Sequence, residues 1–238
     1  MTLKAIIFDV DGTLAETEDV HRRSFNRAFE EFGHDWNWDV PSYKALLRVT
    51  GGKNRIRLYL EESHRAELSR PDLDDYIAAL HARKTVLYSE ILAEGDIELR
   101  PGVEGLIDEA RVDGLTLAIA TTTTPANIEA LLGATLGTEA LSWFSAIGNA
   151  QSAPTLKPDP AVYLWVLDQL GLGASDCLAI EDSGNGIQSA LAAGVPCLVV
   201  KSAFTQTGDT TGALGPLETL AGTCLSDLKA MHGEYTEI

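Results

Sequence analysis

The sequence predicts an α/β fold, with a Rossmann-like parallel sheet as the core and an inserted α-helical cap domain. Short apolar runs recur along the chain, and segments with helical spacing separate most of them, which is typical of a parallel sheet covered by helices. Between Glu16 and about Gly95 the strand-type runs disappear, and apolar residues recur at helical spacing among charged ones. We therefore expect the core to comprise residues 1–16 and 96–238 and the cap to comprise residues 17–95.

Five apolar runs have the length and composition of buried strands, at residues 3–8, 115–120, 146–147, 178–180 and 196–200. Three of the helices between and after them have recognisable starts, since Thr124 and Asp159 each precede a proline and Ser183 precedes a segment that stops at a glycine. The tail after Phe204 suggests only one further strand and helix, within residues 223–231.

The inserted segment has four stretches with helical spacing, at residues 18–32, 42–47, 55–63 and 72–93. At 100° per residue, one face of the first stretch is polar in its first turn and aromatic beyond it. That face is formed by Glu18, His21, Arg22, Phe25, Phe29 and Phe32. The pattern predicts that the aromatic residues lie in the cap core, while the polar three either face the crevice next to Asp11 or merely solvate a helix end.

Composition excludes several classes of function. The 18 Lys and Arg residues against 35 Asp and Glu residues give a formal net charge of -17, so the phosphate backbone of nucleic acid would be repelled. No apolar run approaches the length of a membrane span, and the N-terminus lacks the pattern of a signal peptide. The cysteines, Cys177, Cys197 and Cys224, read as buried thiols in a reducing compartment. We expect a cytoplasmic monomer.

Asp9 and Asp11 stand two residues apart, directly after the first apolar run and before Gly12. Two carboxylates so close repel each other and require a cation, a proton or both. The pair suits a metal-assisted site in which one carboxylate is the nucleophile and the other is the acid and base. The alternative is a polar strand end whose carboxylates cap the next turn.

Three further groups follow the later apolar runs. Thr121 and the threonines after it would offer hydroxyl and backbone N–H groups to an anion, or would only cap the next helix. Lys157 could balance the charge of a phosphate and a carboxylate, or be an ordinary surface lysine. The adjacent Glu181 and Asp182 suit a hard cation such as Mg²⁺, or are an acidic strand end. Because ligands bind at the carboxyl ends of parallel strands, we expect these groups to converge.

In this order the four segments resemble the motifs of the haloacid dehalogenase-like phosphohydrolases. The resemblance implies that Asp9 attacks phosphorus to form an aspartyl-phosphate, while Asp11 protonates the leaving oxygen and then activates water. It further implies that Mg²⁺ is held by the Asp9 side chain, the Asp11 carbonyl and Asp182, with Glu181 as a ligand or close behind one. Phosphate would be bound by Thr121, Thr122 and Lys157.

Segments within and beside the predicted cap resemble the CbbY-type sugar phosphatases. They are Ala15-Glu16-Thr17-Glu18, His21-Arg22-Arg23, Thr50-Gly51-Gly52-Lys53, Ala93-Glu94-Gly95 and the run of threonines from Thr121 to Thr124. Pro125 departs from that pattern. The resemblance implies a Mg²⁺-dependent phosphatase linked to the Calvin cycle, which hydrolyses xylulose 1,5-bisphosphate, an inhibitor of Rubisco, to xylulose 5-phosphate. Substrate contacts would come from Glu18, His21, Arg22, Gly52, Lys53 and Arg55.

Two of these residues also have an independent argument and an alternative. Lys53 and Arg55 follow a Gly-Gly turn and could supply positive charge for a second, non-reacting phosphate, or simply form a solvated and salt-bridged helix start. A β-phosphoglucomutase-like mutase and a phosphoglycolate phosphatase share the core motifs, so both remain open. A phospho-acceptor signalling module is the alternative from a different class.

Overall fold

The structure is a computed structural model that describes residues 2–95, 97–205 and 207–236. Within these residues six strands form one parallel sheet in the order β3-β2-β1-β4-β5-β6. The strands are β1 (Ala5–Phe8), β2 (Thr116–Ala120), β3 (Phe144–Gly148), β4 (Cys177–Glu181), β5 (Cys197–Val200) and β6 (Leu214–Leu217). The predicted α/β class with a parallel sheet is confirmed.

The described helices fall into two groups. The helices α1 (Glu18–Glu31), α2 (Val40–Leu46), α3 (Gly52–Ser63) and α4 (Leu73–Ala93) lie between β1 and β2 in the chain. The helices α5 (Val103–Val112), α6 (Pro125–Thr135), α7 (Ala161–Leu170), α8 (Gly184–Ala192) and α9 (Leu225–Thr236) accompany the sheet. None of the described helices is long and apolar enough to cross a membrane.

The described residues form two compact units, one made of the residues up to Glu16 and from Ile97 onward, and the other beginning at Thr17. The predicted boundary lies between residues 95 and 96, and Asp96 lies outside the described residues. The assignment of the two units as catalytic core and cap stays a prediction.

One face of the sheet packs against α7 and α8 through alternate strand residues, as the twofold repeat of a strand requires. These are small or β-branched side chains, among them Ala118, Ala179 and Val199, and they belong to the same buried cluster as Val166 and Ile187 of the helices. Since both faces of a parallel sheet are covered, the strand sequences are apolar almost throughout. Cys177 and Cys197 are buried in this layer as predicted, whereas Cys224 is only half-buried.

The helical unit is built around α1 and α4, with an aromatic cluster at its centre. Phe25 and Phe29 of α1 are buried, and their ring centroids lie 4.6 and 4.9 Å from that of Trp38. Phe32 differs from the prediction, because it follows the end of α1 and is only half-buried against Tyr76. The predicted aromatic face therefore ends one turn early.

Helix starts follow local capping. The Thr124 and Ser183 side chains accept hydrogen bonds from backbone N–H groups in the first turns of α6 and α8, as predicted. The predicted cap at Asp159 is displaced, since Pro160 occupies the cap position, although the Asp159 carboxylate still accepts a hydrogen bond from the Ala161 N–H. Helix α3 begins at Gly52 rather than at residue 55, which places Lys53 in its first turn.

In the C-terminal part the predicted helix is present, but the predicted strand is not. Residues 223–231 contain no strand, and the last helix is α9. The sixth strand is instead β6, which pairs with β5 at the edge of the sheet and contains Gly215 and Pro216. Pro is tolerated in an edge strand because no outer neighbour needs the N–H that it lacks. Gly and Pro are rare in other strands, so the sequence of this segment does not indicate one.

Candidate active site

The carboxyl ends of β1 and β4 bring three carboxylates together. Phe8 pairs with Ile180, so Asp9 and Glu181 end neighbouring strands, and the Asp9 N–H donates to the Ile180 carbonyl at 3.0 Å. One carboxylate oxygen each from Asp9, Glu181 and Asp182 lies within 4.8 Å of the others, and all three residues are buried. The predicted convergence of these residues is therefore a feature of the described core.

Lys157 lies between two of these carboxylates and is 4% exposed. Its Nζ donates to Asp9 Oδ1 at 2.7 Å, to Glu181 Oε1 at 2.6 Å and to the Ala120 carbonyl at 2.8 Å. Burial lowers the pKa of Lys157, but the charges of Asp9 and Glu181 outweigh it and hold that pKa above its ordinary value. Lys157 is therefore a buried cation and not a solvated surface lysine.

The surroundings of Asp9, the candidate nucleophile, disfavour the charged form of its carboxylate. Burial raises the pKa of Asp9, Lys157 opposes this rise, and the negative charge of Glu181 adds to it. Three buried carboxylates, those of Asp9, Glu181 and Asp182, thus meet at this edge of the sheet, and Lys157 lies between two of them. Such a surplus of negative charge favours binding of an additional cation.

The chain turns sharply after Asp11. Gly12 has φ +88°, and its N–H donates to the Ala15 carbonyl at 2.8 Å. A Cβ on Gly12 would lie 2.0 Å from Asp182 Oδ2, so both the backbone conformation and the close approach to the carboxylate require glycine. The Gly12 position thus lets the loop after β1 lie against the loop after β4.

The two oxygens of Glu181 have different surroundings. Oε1 accepts hydrogen bonds from Lys157 and, at 2.5 Å, from the Tyr163 hydroxyl. Oε2 is buried and has no hydrogen-bond partner among the described residues, and a Cβ on Gly186 would lie 1.8 Å from it. A buried carboxylate oxygen without a donor, beside two other carboxylates, fits a hard cation such as Mg²⁺. The donor set of this site therefore suits the metal that the sequence predicts.

A loop after β5 fastens the other side of the site. The Thr205 hydroxyl donates to Asp182 Oδ2, and the Ser202 hydroxyl donates to Glu16 Oε2 at 2.9 Å. Arg100 donates to the carbonyls of Gly12 and Lys201 and lies 3.3 Å from Glu16 Oε1. These contacts join the loop after β1 to the loop after β5 and hold the Asp182 carboxylate in place.

The threonine run lies at the end of β2 next to β1. Thr121 is buried, its N–H donates to the Gly148 carbonyl at 3.0 Å, and its hydroxyl oxygen accepts from the Thr123 N–H at 3.3 Å. Thr122 is half-buried in the turn before α6. Both residues stand at the N-terminus of a helix of eleven residues, where free N–H groups favour an anion.

The predicted substrate residues lie in the helical unit and form two polar groups within it. In the first, the Tyr43 hydroxyl donates to Glu18 Oε2 at 2.7 Å and accepts from Arg55 Nη1 at 2.9 Å. Glu18 is buried, and Arg55 Nε is buried without a hydrogen-bond partner among the described residues. Arg22 instead donates to Asp19 Oδ1 at 2.9 Å and to the Trp38 carbonyl at 3.1 Å, so its guanidinium holds the loop before α2.

The second polar group is centred on His21. Lys84 of α4 is 3% exposed, donates to His21 Nδ1, and has its Nζ 5.0 Å from the ring centroids of Phe25 and Tyr88. His81, one turn before Lys84, has its pKa lowered to about 3 by burial and then by its basic neighbours Lys84, Lys53, His21 and Arg55. Positive charge is therefore concentrated in this part of the helical unit.

Position 52 requires a glycine because His81 lies close to it, and not because of a turn in the backbone. A Cβ on Gly52 would lie 2.4 Å from the Nε2 atom of His81, while the positive φ of the Gly-Gly pair belongs to Gly51, at +90°. Lys53 is exposed in the first turn of α3. Gly52 thus allows α3 to approach the basic group closely.

Sequence reasoning missed several of these residues. Lys84 shares a helix face with the buried Leu80 and Leu87, and His81 lies beside the buried Tyr88. Polar residues on an apolar stripe are a signal that could have found both. Tyr163 gave no such signal, because a tyrosine in an apolar helix is typical of core packing. Arg100 lies in the loop before α5, and only the fold connects it to Gly12.

Comparison with known proteins places these features in context. The model of the haloacid dehalogenase-like hydrolases matches residues 3–194 of the chain. The plasmid-encoded protein CbbY of Cupriavidus necator is 50% identical over 212 residues, which are 89% of this chain and 84% of that protein.

Solved structures are similar as well. The chain is similar to CbbY of Rhodobacter sphaeroides, crystallised as an Asp-to-Asn variant with xylulose 1,5-bisphosphate, at a TM-score of 0.87 and 39% identity over 95% of this chain and 99% of that one. A β-phosphoglucomutase from Clostridium difficile has a TM-score of 0.81 at 18% identity, covering 99% of this chain and 100% of that one. At that identity the likeness concerns the fold alone.

Proposed function

The chain belongs to the haloacid dehalogenase-like hydrolases and is a sugar phosphatase of the CbbY type, and from this premise we propose that its substrate is xylulose 1,5-bisphosphate and its cofactor Mg²⁺. The proposed product is xylulose 5-phosphate. The observation that carries the proposal is Lys157 held between Asp9 and Glu181 beside Asp182, where the ends of the central strands meet.

The proposed chemistry begins at Asp9. An oxygen of its carboxylate attacks phosphorus, the bond between phosphorus and the sugar oxygen breaks, and Asp11 gives its proton to that leaving oxygen. Asp11 then takes a proton from water, whose oxygen attacks phosphorus and breaks the bond to Asp9, so that inorganic phosphate and the intact carboxylate result. Two residues with separate roles thus account for the Asp-x-Asp spacing.

The remaining core residues bind and orient. Lys157 holds Asp9 Oδ1 in place and balances charge beside the phosphate, while the hydroxyls of Thr121 and Thr122 and the N–H of Thr122 are offered to phosphate oxygens. Asp9, Asp182 and the Asp11 carbonyl would hold Mg²⁺, with Glu181 at or behind it. When bound, the ion would neutralise charge on the phosphate and on the carboxylates around it.

A bisphosphate requires a second cationic site for the phosphate that does not react. The basic group of the helical unit, with Lys53, Arg55 and Lys84 close to His81, supports such a site by its charge. The hydrogen-bonded Glu18 and Tyr43 are suited to contact sugar hydroxyls. We propose these residues, together with Arg22 and Gly52, as the part of the protein that selects the substrate.

The test is an assay of inorganic phosphate released from a panel of sugar mono- and bisphosphates, with Mg²⁺ and with EDTA. We expect turnover to be highest for xylulose 1,5-bisphosphate and to be lost in EDTA. Asp9→Asn should lower turnover by at least about 10³-fold. Asp113→Asn is the matched control, since Asp113 pairs with Lys229 on the surface.

The products separate this proposal from its rivals. A rearranged sugar phosphate without free phosphate would identify a mutase, and preference for phosphoglycolate would identify the other phosphatase considered. Turnover by Asp9→Asn close to that of the wild type would exclude Asp9 as the nucleophile.

A further inference from the structure

Tyr163 is a core residue whose hydroxyl reaches the active site. It lies in α7, is fully buried, and packs in the layer between α7, α8 and the sheet. A phenylalanine ring would fill the same space, so packing alone does not account for the hydroxyl group. That hydroxyl donates to Glu181 Oε1 at 2.5 Å, and a hydrogen bond to a carboxylate in a buried site is strong.

Lys157 alone leaves the plane of the Glu181 carboxylate poorly defined. Its Nζ is shared among Glu181, Asp9 and the Ala120 carbonyl, at 2.6, 2.7 and 2.8 Å. An ammonium group on a flexible stem is a point charge with rotatable donors, so it tolerates several orientations of an acceptor. The Tyr163 ring, in contrast, is fixed by the core around it and presents its donor from one direction.

The hydrogen bonds to Oε1 also determine where the second oxygen of Glu181, Oε2, lies. With Oε1 held by two donors, Oε2 lies against Gly186, where a Cβ would come within 1.8 Å, and it has no hydrogen-bond partner among the described residues. One carboxylate oxygen of Glu181 lies within 4.8 Å of one oxygen each from Asp9 and Asp182. Of the two Glu181 oxygens, Oε1 has two protein donors and Oε2 has none among the described residues.

We propose that Tyr163 is a positioning residue, which orients the Glu181 carboxylate so that a single oxygen serves the Mg²⁺ site. The inference rests on the proposed function, because it assigns the cation site of that reaction. Residues that orient metal-binding carboxylates change metal affinity by about 10–100-fold when they are replaced.

The experiment is calorimetric titration of the metal-free protein with Mg²⁺. We expect Tyr163→Phe to bind Mg²⁺ about 10-fold more weakly than the wild type. The matched control is Tyr59→Phe, which removes a hydroxyl bonded to His64 in the helical unit, and its Mg²⁺ affinity should equal that of the wild type. Melting temperatures in EDTA, measured on the same samples, report folding separately from metal binding.

A double-mutant cycle tests whether Tyr163 acts through Glu181. Adding Tyr163→Phe to Glu181→Gln should cause little further loss of Mg²⁺ affinity, because the carboxylate to be oriented is gone. An equal loss in both backgrounds would overturn the inference, as would a Tyr163→Phe affinity equal to that of a wild type that binds Mg²⁺. A wild type that neither binds Mg²⁺ nor releases phosphate would overturn the proposed function, and the inference with it.

Discussion

Lys157→Met removes the one charge that holds the carboxylates of the described core site together, while it keeps a side chain of similar length. Lys157 Nζ is 2.7 Å from Asp9 Oδ1 and 2.6 Å from Glu181 Oε1. At an effective dielectric constant of 20 each contact corresponds to about 6 kcal/mol of Coulomb attraction, which the cost of burying the ammonium largely offsets. The variant leaves two buried carboxylates facing each other without that compensation.

The net loss of unfolding free energy depends on the two carboxylates that remain without their cation. Removing one partner of a buried ion pair costs about 3–5 kcal/mol. For a chain of this size, that loss corresponds to a fall in melting temperature of about 6–20 °C. We expect this fall in EDTA and a smaller one in Mg²⁺, because a bound cation supplies part of the missing charge.

Scanning calorimetry of the wild type, Lys157→Met and Lys201→Met measures the effect. Lys201 pairs with Glu218 on the surface, where its side chain is 46% exposed, so Lys201→Met should cost no more than about 1 kcal/mol. If Lys157→Met in EDTA melted within about 3 °C of the wild type, the reasoning would be refuted.

Two further predictions concern other residues. Gly12→Ala should lower the melting temperature and abolish Mg²⁺-dependent stabilisation, since its Cβ would stand 2.0 Å from Asp182 Oδ2. The control Gly114→Ala has a similar φ of +76° but open space around it, so it should cost only the strain of about 1–2 kcal/mol; equal effects would contradict the steric argument. For His81, the pKa falls from 6.5 unfolded to about 3 folded, so the stability it contributes is present above pH 6.5 and is lost as the pH falls toward 3. Between pH 7 and pH 5, the free energy of unfolding measured with urea should therefore fall by up to about 2 kcal/mol more in the wild type than in His81→Gln. Equal falls in both proteins would contradict this prediction.

Much of the sheet could be predicted because its signals are local. Each central strand is a short apolar run, since both faces of a parallel sheet are covered, and each predicted cap at Thr124 and Ser183 needs only its own first turn. The edge strand β6 was not predicted, because it contains Gly215 and Pro216, which do not indicate a strand. The fold tolerates them since β6 pairs with β5 on one side only.

The acidic part of the site could also be predicted, whereas its supports could not. Asp9, Glu181 and Asp182 follow apolar runs, so strand topology alone brings them together. Tyr163 looks like a core tyrosine in the sequence, and Arg100 looks like any charged loop residue. Their roles depend on distances between segments far apart in the chain, which no local pattern encodes.

The sequence by itself determined the α/β class, the ends of the central strands and the residue types that gather there, because hydrophobic periodicity and strand order fix which groups share an edge. Only the tertiary structure decided how these groups are paired. Lys157 is a buried bridge because Asp9, Glu181 and the Ala120 carbonyl surround its Nζ. The two oxygens of Glu181 differ because Tyr163 and Gly186 approach it from elsewhere in the fold, and such packing is set by three-dimensional proximity.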